Sequence, residues 1–245
     1  MTRLDALIAA RSLAHSRSQA QRLIRAGHVR VDGRTVLKPS TQVEAAARID
    51  VDRGDDYVSR GAYKLKGAFE RFAGMGLAGP QGLRCLDIGA STGGFCDVLL
   101  RGGAASVIAL DVGHGQLDPR IAADPRIIEM SGVNIRDVTV DDLPFRPQLV
   151  VSDVSFISLT FVIPVIAQLA VPHAAVVLLV KPQFEVGRGH LGKNGIVDSE
   201  SERRQALSRV VSCAAEHGLD VRATGPSPIA GTHGNIEYLL YATLR

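Results

Sequence analysis

The sequence predicts an α/β protein with a doubly wound, Rossmann-like sheet and a small α+β domain at its N-terminus. From residue 84 onward, short apolar strands alternate with helices, which is the order that winds a mostly parallel sheet. The first of these strands enters a helix through a glycine-rich loop, the turn that such sheets use to bind ligands. With 245 residues, 46% of them hydrophobic, the chain can bury this core and carry a second domain.

The first forty residues are basic, although the net charge of the whole chain is only +3. They hold eight arginines and lysines against two aspartates. Ser16 and Gln19 have the spacing of a capping box, Gly27 suits the end of the helix that follows, and Asp32-Gly33 suits a hairpin turn. We therefore expect helix, helix and hairpin, with an excess of positive charge that indicates a polyanionic partner.

Polar and basic side chains of the second helix cannot all join its apolar stripe, so we expect an outer face that could contact phosphates. A basic face of this kind is also common as plain solvated surface. The candidate nucleic-acid contacts at the N-terminus are Arg3, Arg17, Ser18, Arg22 and Arg25. The polar segment from Asp50 to Asp56 contains Gly54 and indicates a linker, which predicts domains at residues 1–56 and 57–245.

Residues 161–180 carry no formal charge over about the length that crosses a bilayer. Pro164 and Pro172 divide this stretch into an apolar helix and a β-branched strand, which favours a buried α/β unit over a membrane span. We therefore expect no stable membrane insertion. The chain does not open with a secretory signal, so the expected location is cytoplasmic.

The strand from Arg84 to Ile88 leads into a D-x-G-x-x-x-G-G segment. Ser91 replaces the second glycine of a dinucleotide motif, and Phe95 follows the glycines where a P-loop has lysine. The segment instead resembles the first motif of S-adenosylmethionine-dependent methyltransferases. Asp111 ends the next strand, where a carboxylate suits ribose hydroxyls, although aspartates at strand ends also serve as turn or capping residues. The candidate cofactor residues are Asp87, Gly89, Ala90, Ser91, Thr92, Gly93, Gly94, Phe95, Asp111 and Asn134.

Charged residues also stand at the ends of later strands. Ligands bind at the carboxyl ends of parallel strands in doubly wound sheets, where Asp153 and Lys181 fall. If the last strand is antiparallel, its beginning brings Glu237 to the same edge. Lys64 lies beside the apolar face of a helix and could reach over the pocket. Each residue taken singly could also be a surface lysine or a structural ion pair, but Lys181 follows five apolar residues, which favours a buried position.

Several segments together resemble the TlyA family, also called hemolysin A: SRGAYKL, LDIGASTGGF, DVGHGQL, SDVSFISL, VKPQFE and GNIEYLL. Residues 3–36 also resemble the ribosomal-S4-like RNA-binding domain, with RLD near the start and V-D-G at the hairpin. The resemblance implies an FtsJ-type domain that methylates the ribose 2'-hydroxyl, expected on cytidine, in ribosomal RNA within ribosomal subunits. The family's Lys-Asp-Lys-Glu tetrad corresponds to Lys64, Asp153, Lys181 and Glu237.

These residue types suit the implied reaction. A ribose hydroxyl is a poor nucleophile until its proton is removed, and it must lie in line with the methyl group that it attacks. Burial and a neighbouring cation favour the neutral amine of a lysine. We therefore expect Lys181, close to Lys64, to act as the base, while Asp153 and Glu237 orient the two amines. A loop at 187–195 with Arg188 and Lys193 could close over RNA or could be only a flexible surface loop.

Other methyltransferase chemistries fit less well. Amine methylation would favour an N-P-P-[FY] strand end, where this chain has Asp153-Val154-Ser155-Phe156. Methylation of a pyrimidine carbon needs a cysteine nucleophile, and Cys85, Cys96 and Cys213 are not placed for that role. Their spacing also fits no metal site, so we expect no metal.

Two functions outside catalysis remain as alternatives. The first is a membrane-active hemolysin or cytolysin, which the family's other name and the apolar stretch suggest. The lack of a credible free amphipathic segment weighs against it. The second is a non-catalytic ribosome-binding factor, and the intact tetrad weighs against that one.

Overall fold

The chain divides into two compact units, Met1–Asp56 and Tyr57–Arg245. The computed structural model describes residues 1–14, 16–52, 56–187, 189, 191–192, 195–231 and 234–245. Arg188 and Lys193, in the loop expected to close over RNA, lie outside the described residues.

The first unit combines short strands with two helices. In chain order its elements are β1 (Thr2–Arg3), α1 (Leu4–Ala10), α2 (Arg17–Arg25), β2 (Val29–Val31), β3 (Arg34–Thr35), β4 (Gln42–Val43) and β5 (Ile49–Val51). Strand β1 pairs with β4, and β2 lies between β3 and β5, all antiparallel. Buried aliphatic residues from α1, α2, β2 and β4 form its core.

The turn and cap signals of this unit are confirmed. Ser16 Oγ accepts a hydrogen bond from the Gln19 amide at 3.1 Å and so caps α2. Gly27 has a φ of +80° at the end of that helix, and Asp32 and Gly33 are both left-handed between β2 and β3. The prediction of a linker from Asp50 was wrong, because residues 50 and 51 belong to β5 and pair with β2. Residues 53–55 lie outside the described part.

The second unit alternates strands and helices, as predicted. Its elements are α3 (Ala62–Phe72), β6 (Arg84–Ile88), α4 (Gly94–Arg101), β7 (Ser106–Asp111), α5 (Pro119–Ala122), β8 (Ile127–Ser131), β9 (Leu149–Ser152), α6 (Leu159–Leu169), β10 (Ala175–Val180), α7 (Pro182–Glu185), α8 (Glu200–Glu216), β11 (Leu219–Pro226) and β12 (Tyr238–Leu244). Single 3₁₀ turns occur at Ala73–Met75, Ile135–Asp137 and Val140–Asp142.

One seven-stranded sheet organises this unit, in the order β11-β12-β10-β9-β6-β7-β8. Strands β6 to β10 are parallel, whereas β12 runs antiparallel to β10 and β11. From β6 the chain builds outward to β7 and β8, then returns to place β9 on the other side. The sheet is therefore doubly wound, with its switch point between β6 and β9, where such sheets bind ligands.

Apolar clusters cover both faces of the sheet. Alternate residues of β9 point to opposite faces, so Val150 packs with α6 and α8 while Val151 packs with α3 and α4. Burial on both sides explains why the central strands are continuously apolar. The uncharged stretch 161–180 is divided, as expected, between α6 and β10. None of the described helices has the length and apolar character to cross a membrane.

Candidate active site

The loop after β6 depends on glycine at its first position. Gly89 has a φ of +83°, a conformation that disfavours residues with a Cβ. A Cβ at Gly89 would also lie 3.1 Å from the carbonyl oxygen of Asp153. Glycine here therefore allows the loops that follow β6 and β9 to meet at the switch point.

Asp111, at the end of β7, braces two loops with one carboxylate. Its Oδ2 accepts a hydrogen bond from the Ser91 amide at 2.8 Å, and its Oδ1 accepts one from the Gly113 amide at 2.7 Å. Ser91 has a left-handed φ of +47° without being glycine, and this contact helps to hold it there. The carboxylate remains half-buried at the edge of a cavity.

That cavity, here called the donor cavity, has a volume of about 550 Å³ and lies at the ends of β6, β7, β8 and β9. Four of the residues expected to bind the cofactor line it: Gly89, Ser91, Asp111 and Asn134. The sequence alone did not single out Val112, Gln116 or the apolar wall of Ile88, Leu110, Val133 and Ile135. Val112 and Val133 lie one and two residues beyond the ends of β7 and β8, and this position in the sequence was the signal that could have identified them.

The remaining residues of the predicted cofactor set do not line the donor cavity: Asp87, Ala90, Thr92, Gly93, Gly94 and Phe95. Several of them shape the loop instead. A Cβ at Gly94 would lie 3.1 Å from the backbone nitrogen of Ala62 and would strike the Ser59 hydroxyl. Phe95 is buried in the core beside α3. Gly94 thus serves the close packing of α4 against the start of α3, whereas a Cβ at Gly93 would meet the side chains of Leu117 and Ile121.

Asp87 lies fully buried at the end of β6. Burial raises the pKa of its carboxyl to about 7, and a hydrogen bond from the Cys96 thiol at 3.1 Å opposes this in part. The nearby carboxylates of Asp153 and Asp111 raise it further. Asp87 therefore does not line the cavity, and its burial favours the neutral form of the carboxyl.

The tetrad residues come together in a row of alternating charge. Lys64 Nζ lies 2.8 Å from Glu237 Oε2 and 3.4 Å from Asp153 Oδ2, while Lys181 Nζ lies 2.6 Å from Asp153 Oδ1. Lys64 and Lys181 are each 8% exposed, and Glu237 is 3% exposed. Two cations and two anions share this buried site, so their charges balance where an unpaired one would be costly.

Sheet topology explains this convergence. Asp153 follows β9 and Lys181 follows β10, which is its parallel neighbour. Strand β12 is antiparallel to β10 and pairs Tyr238 with Val180, so Glu237 arrives beside Lys181 as expected. Lys64 comes from the first turns of α3, which packs on the same face of the sheet as α4.

A second cavity of about 710 Å³, here called the acceptor cavity, contains Lys64, Lys181 and Glu237 in its wall. It shares residues 155–157 with the donor cavity. Phe156 in that shared wall is 91% exposed and has a left-handed φ of +65°. The tetrad therefore lies where two adjoining ligands could meet, one in each cavity.

In the first unit, buried Asp5 gathers the basic side chains near the N-terminus. It accepts hydrogen bonds from Arg3 at 2.9 Å and from Gln21 at 2.8 Å, and Arg17 Nε lies 3.2 Å away. The Arg3 guanidinium, helped by Gln21 and Arg17, holds the pKa of Asp5 well below its usual range. Ser18, Arg22 and Arg25 are exposed on α2. The five expected contacts thus fall into a paired group and an open group.

Comparisons with known proteins match both units. Residues 57–244 match the model of the FtsJ-like methyltransferase family, and residues 2–49 match the S4 domain. The 16S/23S rRNA (cytidine-2'-O)-methyltransferase TlyA of Mycobacterium tuberculosis is 46% identical over 98% of this chain and 88% of its own. Hemolysin A of Brachyspira hyodysenteriae is 39% identical over 98% of both chains. A solved hemolysin-named structure from Streptococcus thermophilus is 38% identical, covers 99% of this chain and 88% of that one, and has a TM-score of 0.76.

Proposed function

This chain belongs to the TlyA family of FtsJ-like methyltransferases, and we propose that it methylates the ribose 2'-hydroxyl of cytidine in ribosomal RNA. The observation that carries the proposal is the tetrad at the meeting point of the two cavities, where Lys64, Lys181 and Glu237 line the acceptor cavity and Asp153 lines the donor cavity. Relatives named as rRNA (cytidine-2'-O)-methyltransferases support the choice of acceptor.

The donor cavity fits S-adenosylmethionine better than a phosphate-bearing cofactor. Its described lining contains no lysine or arginine, but includes the carboxylates of Asp111 and Asp153. Carboxylates suit ribose hydroxyls and a cationic ligand, whereas a diphosphate favours cations or a phosphate loop. We assign ribose binding to Asp111 and an adenine-side contact to Asn134, with the loop of Gly89 and Ser91 beside them. Bound there, S-adenosylmethionine supplies an electrophilic methyl group on a sulfonium.

In the acceptor cavity, the chain's own residues prepare the hydroxyl. Lys64 lies between two carboxylates, those of Glu237 and Asp153, whereas Lys181 shares only the latter among the described residues. We assign Lys181, whose amine has the fewer carboxylate partners, as the general base that takes the 2'-hydroxyl proton. Asp153 and Glu237 fix the positions of the two amines. The balanced charge keeps the site intact before RNA arrives.

We assign residues 1–56 to RNA binding and residues 57–245 to methyl transfer. Arg22, Arg25 and Ser18 are open to phosphates on α2, and Arg3 and Arg17 are held around Asp5. Phosphate contacts of this kind position a protein without reading sequence. The partner proposed for this surface is ribosomal RNA within ribosomal subunits.

The test is to incubate the purified protein with radiolabelled S-adenosylmethionine and unmodified ribosomal subunits, digest the RNA, and identify the labelled nucleoside by mass. We expect 2'-O-methylcytidine with the wild type and none with Lys181→Ala. Lys66→Ala is the matched control, because Lys66 lies on α3 outside both cavities. Label on a base, or no label on any RNA, would refute the proposed reaction.

The hemolysin name of some relatives raises membrane lysis as a second function. The structure offers it little support, since the apolar residues of α6 and β10 are largely buried in the sheet core. Release of dye from liposomes by the Lys181→Ala variant would be the result that favours it.

A further inference from the structure

Lys181 can act as a base only if the lone pair of its neutral amine points at the acceptor. A neutral amine has two N–H groups and one lone pair, so its hydrogen-bond acceptors decide the direction of the lone pair. Lys181 Nζ donates a hydrogen bond to Ser155 Oγ at 2.8 Å. Its 2.6 Å contact with Asp153 Oδ1 lacks the alignment of a hydrogen bond. Ser155 therefore provides the directional contact among the described residues.

The segment that carries Ser155 is anchored on both sides of this exposed residue. On one side, the Asp153 amide donates to the Ile88 carbonyl at 3.1 Å, which ties the segment to β6. On the other side, Glu185 accepts hydrogen bonds from the Ser158 hydroxyl at 2.5 Å and from the Leu159 amide at 2.9 Å. Glu185 is 8% exposed and belongs to α7, which begins directly after Lys181. One buried carboxylate thus joins the segment of Ser155 to the segment of the lysine.

Ser155 also lies at the junction of the two cavities. Ser155 lines both cavities, whereas Lys181 lines only the acceptor cavity. Ser155 takes one direction around the amine and the Asp153 carboxylate lies close beside it, which leaves a direction towards the acceptor cavity. The hydroxyl of Ser155 can thus set the direction of the base without contacting the proton that is transferred.

We propose that Ser155 is a positioning residue for methyl transfer, which takes one N–H of Lys181 and turns the lone pair of the neutral amine towards the acceptor cavity. This inference rests on the proposed function, in which Lys181 is the general base. It assigns a role to a residue outside the tetrad.

The test compares Ser155→Ala, Ser155→Thr and the control Ser208→Ala, whose serine is exposed on α8. The single-turnover rate of RNA methylation is measured at saturating S-adenosylmethionine, together with KM for ribosomal subunits and Kd for the donor. We expect Ser155→Ala to lower the rate about tenfold or more, since misorientation of a catalytic group costs on that scale. KM and Kd should stay near wild-type values. Ser155→Thr keeps the hydroxyl and should recover most of the rate.

A wild-type rate in Ser155→Ala would overturn the inference, and so would a threonine variant as slow as the alanine variant. A change in donor Kd with an unchanged rate at saturation would also overturn it, because Ser155 would then be only a wall of the donor cavity. Failure of the proposed function is distinguishable, since the wild type itself would then yield no 2'-O-methylated nucleoside.

Discussion

Lys64 and Lys181 are the same residue type in one buried row, yet their surroundings differ. Lys64 has carboxylates on two sides, while Lys181 has one carboxylate and a neutral hydroxyl. The sequence could predict Lys181 from its strand-end position and Lys64 from its place beside the apolar face of a helix, and family resemblance supported both. It could not predict Ser155, because its contact with Lys181 joins two loops 26 positions apart in the chain.

Replacing Lys181 with arginine tests the role of its neutral amine. Arginine keeps the positive charge but remains protonated at any accessible pH, so it cannot accept the hydroxyl proton. We expect Lys181→Arg to abolish turnover while titration calorimetry still shows wild-type affinity for S-adenosylmethionine. Lys66→Arg on α3 should remain active. Turnover in the Lys181→Arg variant above about one hundredth of the wild-type rate would contradict a general-base role.

Asp87 makes stability depend on pH in a direction opposite to that of most carboxylates. Its pKa in the folded protein is about 7, above that of an exposed aspartate, so the folded state binds more protons than the unfolded state between about pH 4 and 7. This group therefore lowers stability as pH rises through that window. Asp87→Asn mimics the neutral carboxyl and should therefore stabilise the protein more at pH 8 than at pH 5. We expect the gain in the free energy of unfolding to be larger at pH 8 by at least about 1 kcal/mol.

Calorimetric melting of wild type and Asp87→Asn at pH 5 and pH 8 isolates the contribution of Asp87, because other titrating groups are common to both proteins. The difference in Tm between the variant and the wild type should grow with pH. Parallel melting curves at both pH values would show that Asp87 does not resist ionisation in the folded state.

At the scale of elements, the close approach of α4 to α3 positions Lys64. Gly94 begins α4, and a Cβ there would lie 3.1 Å from the Ala62 backbone nitrogen at the start of α3. The D-x-G-x-x-x-G-G sequence predicted a glycine loop beside a cofactor. It did not indicate that its last glycine serves helix packing, since that contact joins segments about thirty residues apart. The antiparallel course expected for the last strand was confirmed, but the expectation that this strand forms the edge of the sheet was wrong, because β11 pairs with the other side of β12.

Gly94→Ala should push α3 away and displace Lys64. We expect a loss of about 1–3 kcal/mol in the free energy of unfolding, as for an overpacked core, and a fall in methylation larger than the loss of fold explains. Urea unfolding and methyl transfer at a temperature where the variant is folded would measure both effects. Gly79→Ala is the control, because nothing lies within 4 Å of a Cβ at Gly79. Equal activity of the two variants would contradict this account.

At the scale of the whole molecule, two compact units carry different kinds of chemistry. The second unit buries Lys64, Lys181 and Glu237 beside its cavities, whereas the first exposes Arg22 and Arg25 on α2. Sequence periodicity was enough to predict the doubly wound sheet, because its central strands β9 and β10 are almost entirely apolar and its helices are separated by clear turns. The limits of β5 were not predicted, because Asp50 and Asp52 made a strand end resemble a polar linker.

Removing charge from α2 should weaken RNA binding without lowering the rate of methyl transfer to bound RNA. Each phosphate that the protein no longer neutralises reduces the slope of log affinity against log salt by about 0.7–0.9. We therefore expect the double variant Arg22→Ala/Arg25→Ala to bind ribosomal RNA more weakly. Its salt slope should be smaller by the amount that corresponds to the loss of one or two phosphate contacts. Filter binding across a salt series measures this slope, and donor affinity should not change.

Arg204→Ala with Arg222→Ala provides the control, since it removes the same charge from exposed positions on α8 and β11. If both double variants lose affinity equally, the effect reflects net charge alone and the face of α2 has no special role. If only the α2 variant loses affinity and salt dependence, while its single-turnover rate at saturating RNA stays at the wild-type level, the first unit captures RNA and the second performs the reaction.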